Sequence, residues 1–327
     1  MEDPLEPLQM PPIGRAQHVL EENEGFDACD LREICMSGTQ EHRKVIAERK
    51  LVPDSVCEYL AEFAEIPVVK VMLANNGAIM PEQAIDKLVA RSRGDESLCA
   101  LLVERLETKP SQAMAMFWWS DSTTRRKILQ RHAADRLEVI DTCRDVFELA
   151  AEENWADPVT RKAIQLIERR QRNRAAIDKS PYDSLEDAIN ASALEGLDSE
   201  LAQEIGYLAG LKPVTAAKIL TDKGGEGIAV LCKGTGVKRD FLPVLWAGLK
   251  RDLETGTGEI DPDFARVAEI YEIMTVAKAQ TTLRYWNWSL SSAFSPNALS
   301  SAIDDVPANE EASFSSPQRT ARLVFGR

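Results

Sequence analysis

Leu51-Val52-Pro53-Asp54-Ser55-Val56-Cys57-Glu58-Tyr59-Leu60 recurs in kind as Ile79-Met80-Pro81-Glu82-Gln83-Ala84-Ile85-Asp86-Lys87-Leu88 and as Thr108-Lys109-Pro110-Ser111-Gln112-Ala113-Met114-Ala115-Met116-Phe117. Pro53 and Pro81 stand 28 residues apart, and Pro81 and Pro110 stand 29 apart. Ahead of each lies a matching segment: Val45-Ile46-Ala47-Glu48-Arg49, Met72-Leu73-Ala74-Asn75-Asn76 and Leu101-Leu102-Val103-Glu104-Arg105. Self-similarity at a fixed period marks stacked supersecondary units. Proline suits the first turn of a helix, where its missing N–H would be unpaired anyway. The acidic or hydroxyl residue after each proline suits the positive end of the helix dipole. In the middle copy Ala84, Ile85, Leu88 and Val89 fall on one helical face. Each copy therefore predicts two short helices joined by a tight turn. One such hairpin cannot bury both of its faces, so the copies must stack. Asn76-Gly77 has the residue types that tolerate a left-handed helix end.

Further helices flank the repeats. Asp27 to Met36 reads as an earlier helix with Leu31 and Ile34 inward, and Ser120 to His132 as a later one with Ile128 and Leu129 inward. Leu137, Ile140, Cys143, Phe147 and Ala150 form a helical stripe, and another helix runs from Pro158 to about Asp178. Asp157-Pro158, Ser180-Pro181 and Asp261-Pro262 each place a capping side chain before a proline. Helices are predicted at Leu185–Leu194, Ser199–Leu208, Val214–Leu220, Ile228–Cys232 and Phe241–Leu253. No stretch shows sustained strand alternation with hairpin signals. From Pro262, the residues Phe264, Val267, Tyr271, Met274, Lys278, Thr281, Tyr285 and Trp288 follow a heptad spacing. Such a helix either docks on its own domain or pairs with a partner, a second copy of the chain included.

The expected class is all-α: helical-hairpin repeats forming an α-solenoid, then a smaller helical domain and a long last helix. The expected layout is an unstructured start at 1–14, repeats at 15–152, a linking helix at 153–180, a small helical domain at 181–256 and the heptad helix at 260–288. The stretch 289–327 is rich in Ser, Pro, Ala, Asn and acidic residues, a composition that predicts no packed core. It closes on Arg319-Thr320-Ala321-Arg322-Leu323-Val324-Phe325-Gly326-Arg327, either a docking peptide or an unconstrained end.

Hydrophobic residues make up 44% of the 327 and charged residues 28%, enough for a core. The formal net charge of −14 disfavours nucleic acid, because an acidic chain repels phosphate. The segment from Met1 to Pro12 is acidic and proline-rich, unlike a secretory signal. No run approaches the roughly 18 apolar residues of a membrane span. The cytoplasm is the expected location.

The sequence offers little chemistry. None of the 6 Cys forms a C-x-x-C pair, and Cys57, Cys99 and Cys143 sit among apolar residues as reduced core thiols do. His18, His42 and His132 read as solvated surface residues, so no metal set or hydrolytic triad is expected. Gly224-Gly225-Glu226-Gly227 and Gly234-Thr235-Gly236 fit neither a phosphate loop nor a dinucleotide fingerprint, and read as helix ends. No cofactor, metal or catalytic residue is expected.

Binding is better represented. Trp118-Trp119 follows Met114, Met116 and Phe117, and adjacent indoles cannot share one helix face. One packs inside, and the other is exposed or covered by the next helix; tryptophan is enriched at binding hot spots. Two basic clusters stand out: Arg125, Arg126, Lys127, Arg131 and His132, then Arg161, Lys162, Arg169, Arg170, Arg172 and Arg174. Each is either a solvated face or a patch for an acidic partner or nucleic acid.

The segments V-I-A-E-R, M-L-A-N-N-G-A and L-L-V-E-R within Thr39 to Arg105 resemble an alphaproteobacterial, HEAT-like family catalogued only as a domain of unknown function. Ile228-Ala229-Val230-Leu231-Cys232-Lys233-Gly234-Thr235-Gly236-Val237 resembles the back part of that family. The resemblance covers roughly Thr39 to Arg251, implies a HEAT-like all-helical fold, and carries no catalytic residues. The expected function is a non-catalytic scaffold or adaptor for another protein. The candidate partner residues are Trp118, Trp119, Arg125, Arg126, Arg169, Arg170, Tyr285 and Trp288. The alternative is a HEAT-like nucleic-acid binder, which requires Arg125, Arg126, Arg169 and Arg170 to share one concave face.

Overall fold

Pro53 and Pro81 each stand one residue before the helix they open, with φ of −61° and −68° and extended ψ of 154° and 158°. The sequence placed them inside the first turn. At the cap position the ring still fixes φ, and the proline carbonyl receives the first helical bonds, from Val56 at 3.1 Å and Cys57 at 3.0 Å in the case of Pro53. Pro110 is the first residue of its helix, as expected.

The protein is described here from a computed structural model that covers residues 13–22, 25–133, 172–173 and 176–292. Every regular element among the described residues is a helix. The expected helices over Leu137–Ala150 and from Pro158, and residues Cys143, Arg161, Lys162, Arg169, Arg170 and Arg174, lie outside the described residues, as do 1–12 and 293–327. The chain divides into two compact units, Met1–Lys109 and Pro110–Arg327. The division falls inside the third repeat, earlier than the boundary near residue 152 that the sequence offered.

The first unit contains α1 (Ile13–Glu22), α2 (Ala28–Ser37), α3 (Gln40–Ala47), α4 (Asp54–Phe63), α5 (Ile66–Ala74), α6 (Glu82–Arg91) and α7 (Ser97–Glu104). Each helix packs on the one two places along: α1 on α3, α3 on α5 and α5 on α7, then α2 on α4 and α4 on α6. That is the two-layer stacking of an α-solenoid. Between the layers lie Ile46, Val56, Leu60, Val69, Met72, Ile85, Leu88, Leu98 and Leu102, all fully buried. Each such side chain contributes roughly 1.5–3 kcal/mol.

Polar side chains hold the register. The last carbonyls of any helix have no partner within it. Here the following copy supplies the donors. Asn75 Nδ2, at the end of α5, donates to Ala47 O at 2.8 Å and Arg49 O at 2.7 Å. Arg105, at the end of α7, donates to Asn75 O and Ala78 O, both at 2.9 Å. Arg49 donates to Leu20 O at the end of α1. In the other layer Arg91 donates to Ala61 O at 2.7 Å and Ala64 O at 2.6 Å, and between the layers Arg43 Nε of α3 donates to Cys35 O of α2 at 2.9 Å. The cations also face the negative ends of the helix dipoles.

The expected left-handed cap at Asn76-Gly77 is absent. The helix ends at Asn75 with φ −84° and ψ 110°. Gly77 is instead required by space, because a Cβ there would stand 1.9 Å from Lys50 O. That approach lets Val52 N–H donate to Gly77 O and Ile79 N–H to Val52 O, each at 3.0 Å.

The second unit contains α8 (Pro110–Met116), α9 (Ser122–Arg131), α10 (Leu185–Glu195), α11 (Ser199–Leu208), α12 (Pro213–Leu220), α13 (Glu226–Thr235), α14 (Phe241–Gly248), α15 (Pro262–Ile273) and α16 (Val276–Ser292). Its centre is α13, of which every residue but Lys233 is buried. A helix apolar on all sides must be enclosed, and α12, α14, α15 and α16 all pack on it. Gly225 at φ 81° and Gly236 at φ 73° open and close it, which confirms the glycine pairs as helix ends.

Three expectations fail here. Ser180-Pro181 opens no helix; α10 starts at Leu185, capped by Ser184 Oγ accepting from Asp187 N–H at 3.1 Å. The helix from Phe241 stops at Gly248 rather than Leu253. The single heptad helix is two helices, broken where Met274 turns extended at φ −82° and ψ 137° and Thr275 Oγ1 accepts from Lys278 N–H at 3.2 Å. The break shifts the buried stripe by one residue. Before it Val267, Ile270 and Met274 are buried; after it the buried residues include Ala279, Thr282, Leu283, Trp286 and Leu290, while Lys278, Thr281 and Tyr285 are only half-buried. The stripe faces α13 of the same unit.

Replacing Asn75 by Ala leaves the carbonyls of Ala47 and Arg49 without that donor, and replacing Gly77 by Ala forces Lys50 aside. Each substitution is expected to lower the urea midpoint at unchanged slope, by about 1–3 kcal/mol of stability. Unchanged midpoints would show that the copies do not depend on these bonds.

Candidate functional site

The stitched turns of the first unit form one edge. The segments Lys50–Val52, Gly77–Ile79 and Arg105–Glu107 run side by side because backbone bonds join the first two and Arg105 joins the third to the second. Turns of this kind are ordinarily polar. Here each turn presents one large aliphatic side chain to solvent: Leu51 is 61% exposed, Ile79 51% and Leu106 89%. A single exposed leucine requires no explanation. Leu51 and Ile79 stand at corresponding places in consecutive copies, and Leu106 lies in the next turn, two residues before Thr108, which holds the matching place there; exposed apolar side chains gathered along one edge mark interaction sites. The row stands among charges, with Lys50 and Asp54 exposed and Lys109 paired to Glu82 at 2.7 Å. The signal for it lay in the repeat alignment: Leu51 and Ile79 each stand two residues before a helix-opening proline.

Among the described residues the second unit holds an internal charge cluster. Arg125, on α9, is 6% exposed. It meets Asp222 with both Nη atoms, at 2.5 and 3.0 Å, and Glu226 Oε2 at 2.9 Å, while its Nε donates to Ser120 O at 2.9 Å. Burial works against its charge, but the two carboxylates outweigh burial and raise its pKa above the usual guanidinium value. Gly224 leaves room for this contact, since a Cβ there would stand 2.1 Å from Glu226 Oε2 and 2.3 Å from Arg125 Nη1. The guanidinium lies 5.0 Å from the Phe117 ring centroid, and Phe117, Trp118 and Trp286 form a tilted and edge-to-face aromatic cluster with centroids 4.8–5.2 Å apart.

These positions correct two sequence expectations. Arg125 lies inside, so it cannot meet a partner or a phosphate. Trp118 is 7% exposed and packs in the aromatic cluster, so it is a core residue. Trp119 and Tyr285 are half-buried. Arg126 pairs with Glu269 at 2.6 Å at the surface. Arg169 and Arg170 lie outside the described residues, as does the side chain of Trp288. Among the eight candidates, Trp118 and Arg125 converge, through Phe117, on an interior cluster.

The histidines are also corrected in part. His18 is exposed as expected, but His42 and His132 are buried. His42 Nδ1 accepts from Thr39 N–H at 3.3 Å and completes a capping box at the start of α3. Burial pushes the Cys57 and Cys232 thiols up to about 12, so they stay protonated and unreactive at neutral pH. Among the described residues no group of His, Cys, Asp and Glu has a metal-holding arrangement.

Replacing Arg125 by Met strands two buried carboxylates. The expected cost is about 3–5 kcal/mol, read from the denaturation midpoint of the full chain. A cost below about 1 kcal/mol would contradict the geometry of the cluster.

No curated protein and no solved structure matches the chain significantly. No helix among the described residues is long and apolar enough to cross a membrane. A family model does match, and its span takes in both the stitched repeats and the enclosed helix α13, reaching beyond the stretch that carried the resemblance. The chain belongs to the family described as uncharacterised protein conserved in bacteria (DUF2336), whose model covers residues 16–284.

Proposed function

We propose that this chain is a cytoplasmic, non-catalytic scaffold of the HEAT-like kind that holds a protein partner along the turn edge of its first unit. The observation that carries the reading is the row Leu51, Ile79 and Leu106, one exposed aliphatic residue per stacked turn. Packed helices lie roughly 8–10 Å apart, so Leu51 and Ile79, at the same place in neighbouring copies, repeat at about that distance. On an α-helix, positions i and i+7 are about 10.5 Å apart. The row therefore suits an amphipathic helix with apolar residues seven apart, laid along the edge as in other helix-on-surface recognition. The aliphatic character of the row and the net charge of −14 favour a protein over a nucleic acid. Solenoid repeats supply such extended surfaces because their contacts are local and their faces regular.

The test is a triple variant, Leu51→Asp, Ile79→Asp and Leu106→Asp. All three positions are exposed, so stability should change by no more than about 0.5 kcal/mol per site. Affinity purification of the full-length protein should recover a stoichiometric protein with the wild type and lose it with the variant. Equal recovery by both, or no stoichiometric partner in any growth condition, removes the proposal.

A further inference from the structure

Asn76-Gly77 is the one Asn-Gly pair in the chain, and the scaffold role makes no use of its chemistry. An asparagine followed by glycine holds an electrophile and a nucleophile side by side. The carboxamide carbon of the first is one ring closure from the main-chain nitrogen of the second, and glycine has no Cβ to obstruct the approach. The turn cannot give up this glycine, because a Cβ at position 77 would stand 1.9 Å from Lys50 O. Asn76 is exposed, so water reaches its carboxamide.

The bonds of the turn restrain both reacting groups. Gly77 N–H donates to Asn75 Oδ1 at 2.8 Å. Ala78 N–H donates to Asn75 O at 3.1 Å, which closes Asn75–Ala78 as a four-residue turn. Gly77 O accepts from Val52 N–H at 3.0 Å. Asn75 is itself anchored, through Nδ2 to Ala47 O and Arg49 O and through its carbonyl to Arg105. The side chain that stitches α5 to the preceding copy therefore also occupies the nucleophile.

We propose that Asn76 is a self-modification site guarded by Asn75. When the turn opens locally, the Gly77 nitrogen attacks the carboxamide carbon of Asn76. A new C–N bond closes a succinimide ring, the bond from that carbon to Nδ2 breaks, and ammonia leaves with the proton that Gly77 gives up. Water then opens the ring at either carbonyl. One opening leaves aspartate at position 76, and the other leaves isoaspartate, whose main chain is longer by a methylene. Water is the only co-reactant. Both products place a carboxylate where a neutral amide stood, in the turn that presents Ile79. The isoaspartate also displaces Gly77 from Val52 N–H and Lys50 O, where no room exists for an added atom. The turn edge thus records how often it has opened.

The experiment incubates the full chain at neutral pH, in native buffer and in concentrated urea. Peptide mapping by mass spectrometry follows aspartate and isoaspartate at position 76. The wild type should convert at least about tenfold more slowly in buffer than in urea, because protected turns react only through local opening. Asn75→Ala should convert about tenfold faster than the wild type in buffer, the factor expected from a lost hydrogen bond on the nucleophile, and at the wild-type rate in urea. Arg125→Met, which destabilises the other unit, should leave the rate in buffer within about twofold of the wild type. Equal wild-type rates in buffer and urea, or no conversion in urea, overturn the proposal. So do an Asn75→Ala rate equal to the wild type in buffer, a difference between them that persists in urea, and equal acceleration by Arg125→Met. Because conversion is read at position 76 itself, the outcome is independent of whether the edge holds a partner.

Discussion

Helix ends leave carbonyls without partners, and short helices leave many. The helices of the first unit run 8 to 10 residues, so the last four carbonyls of each are a large share of its polar backbone. The repeat answers this by giving each copy the donor that the previous copy lacks. Asn75 serves α3, Arg105 serves α5 and Arg91 serves α4. Apolar burial drives the stacking, but burial is non-directional. The side-chain caps are directional, and they fix which turn lies beside which.

From that register the exposed row follows. Val52 can donate to Gly77 O only if the two turns lie in contact, and that contact brings Leu51 and Ile79 to adjacent places on the same edge. A slip of one copy would misplace both the caps and the row. The second unit is built by a different rule. Its centre is one enclosed helix, and Arg125 ties α9 to the start of that helix through Asp222 and Glu226. A buried ion cluster of this kind adds little net stability relative to an apolar replacement, but it strongly penalises any packing that separates its members.

Much of this was legible in the residues. The prolines announced the repeats, and α11 runs over Ser199–Leu208 as read. The failures have physical causes. Arg125 was taken as surface because it is a cation among cations, yet Ile128 and Leu129, three and four residues on, are both buried on its face. Its counter-charges stand 97 and 101 residues away, beyond any local reading. His42 likewise shares its face with Val45 and Ile46. The heptad after Pro262 was real in spacing, but Thr275 caps a new helix inside it and resets the phase. Gly77 was read for its backbone freedom, whereas its role is to leave space for Lys50 O. The aliphatic row is absent from any helical periodicity because its members lie in turns.

The central claim is that neighbouring copies are held turn to turn by specific hydrogen bonds. Native-state hydrogen exchange of the full chain reads those bonds directly. The account predicts that the amides of Val52 and Ile79, which donate across the turns at 3.0 Å, exchange as slowly as the buried helix amides of α4 and α6 and with the same denaturant dependence. Exchange of these two amides at the rate of an exposed loop, with the neighbouring helices still protected, would contradict it.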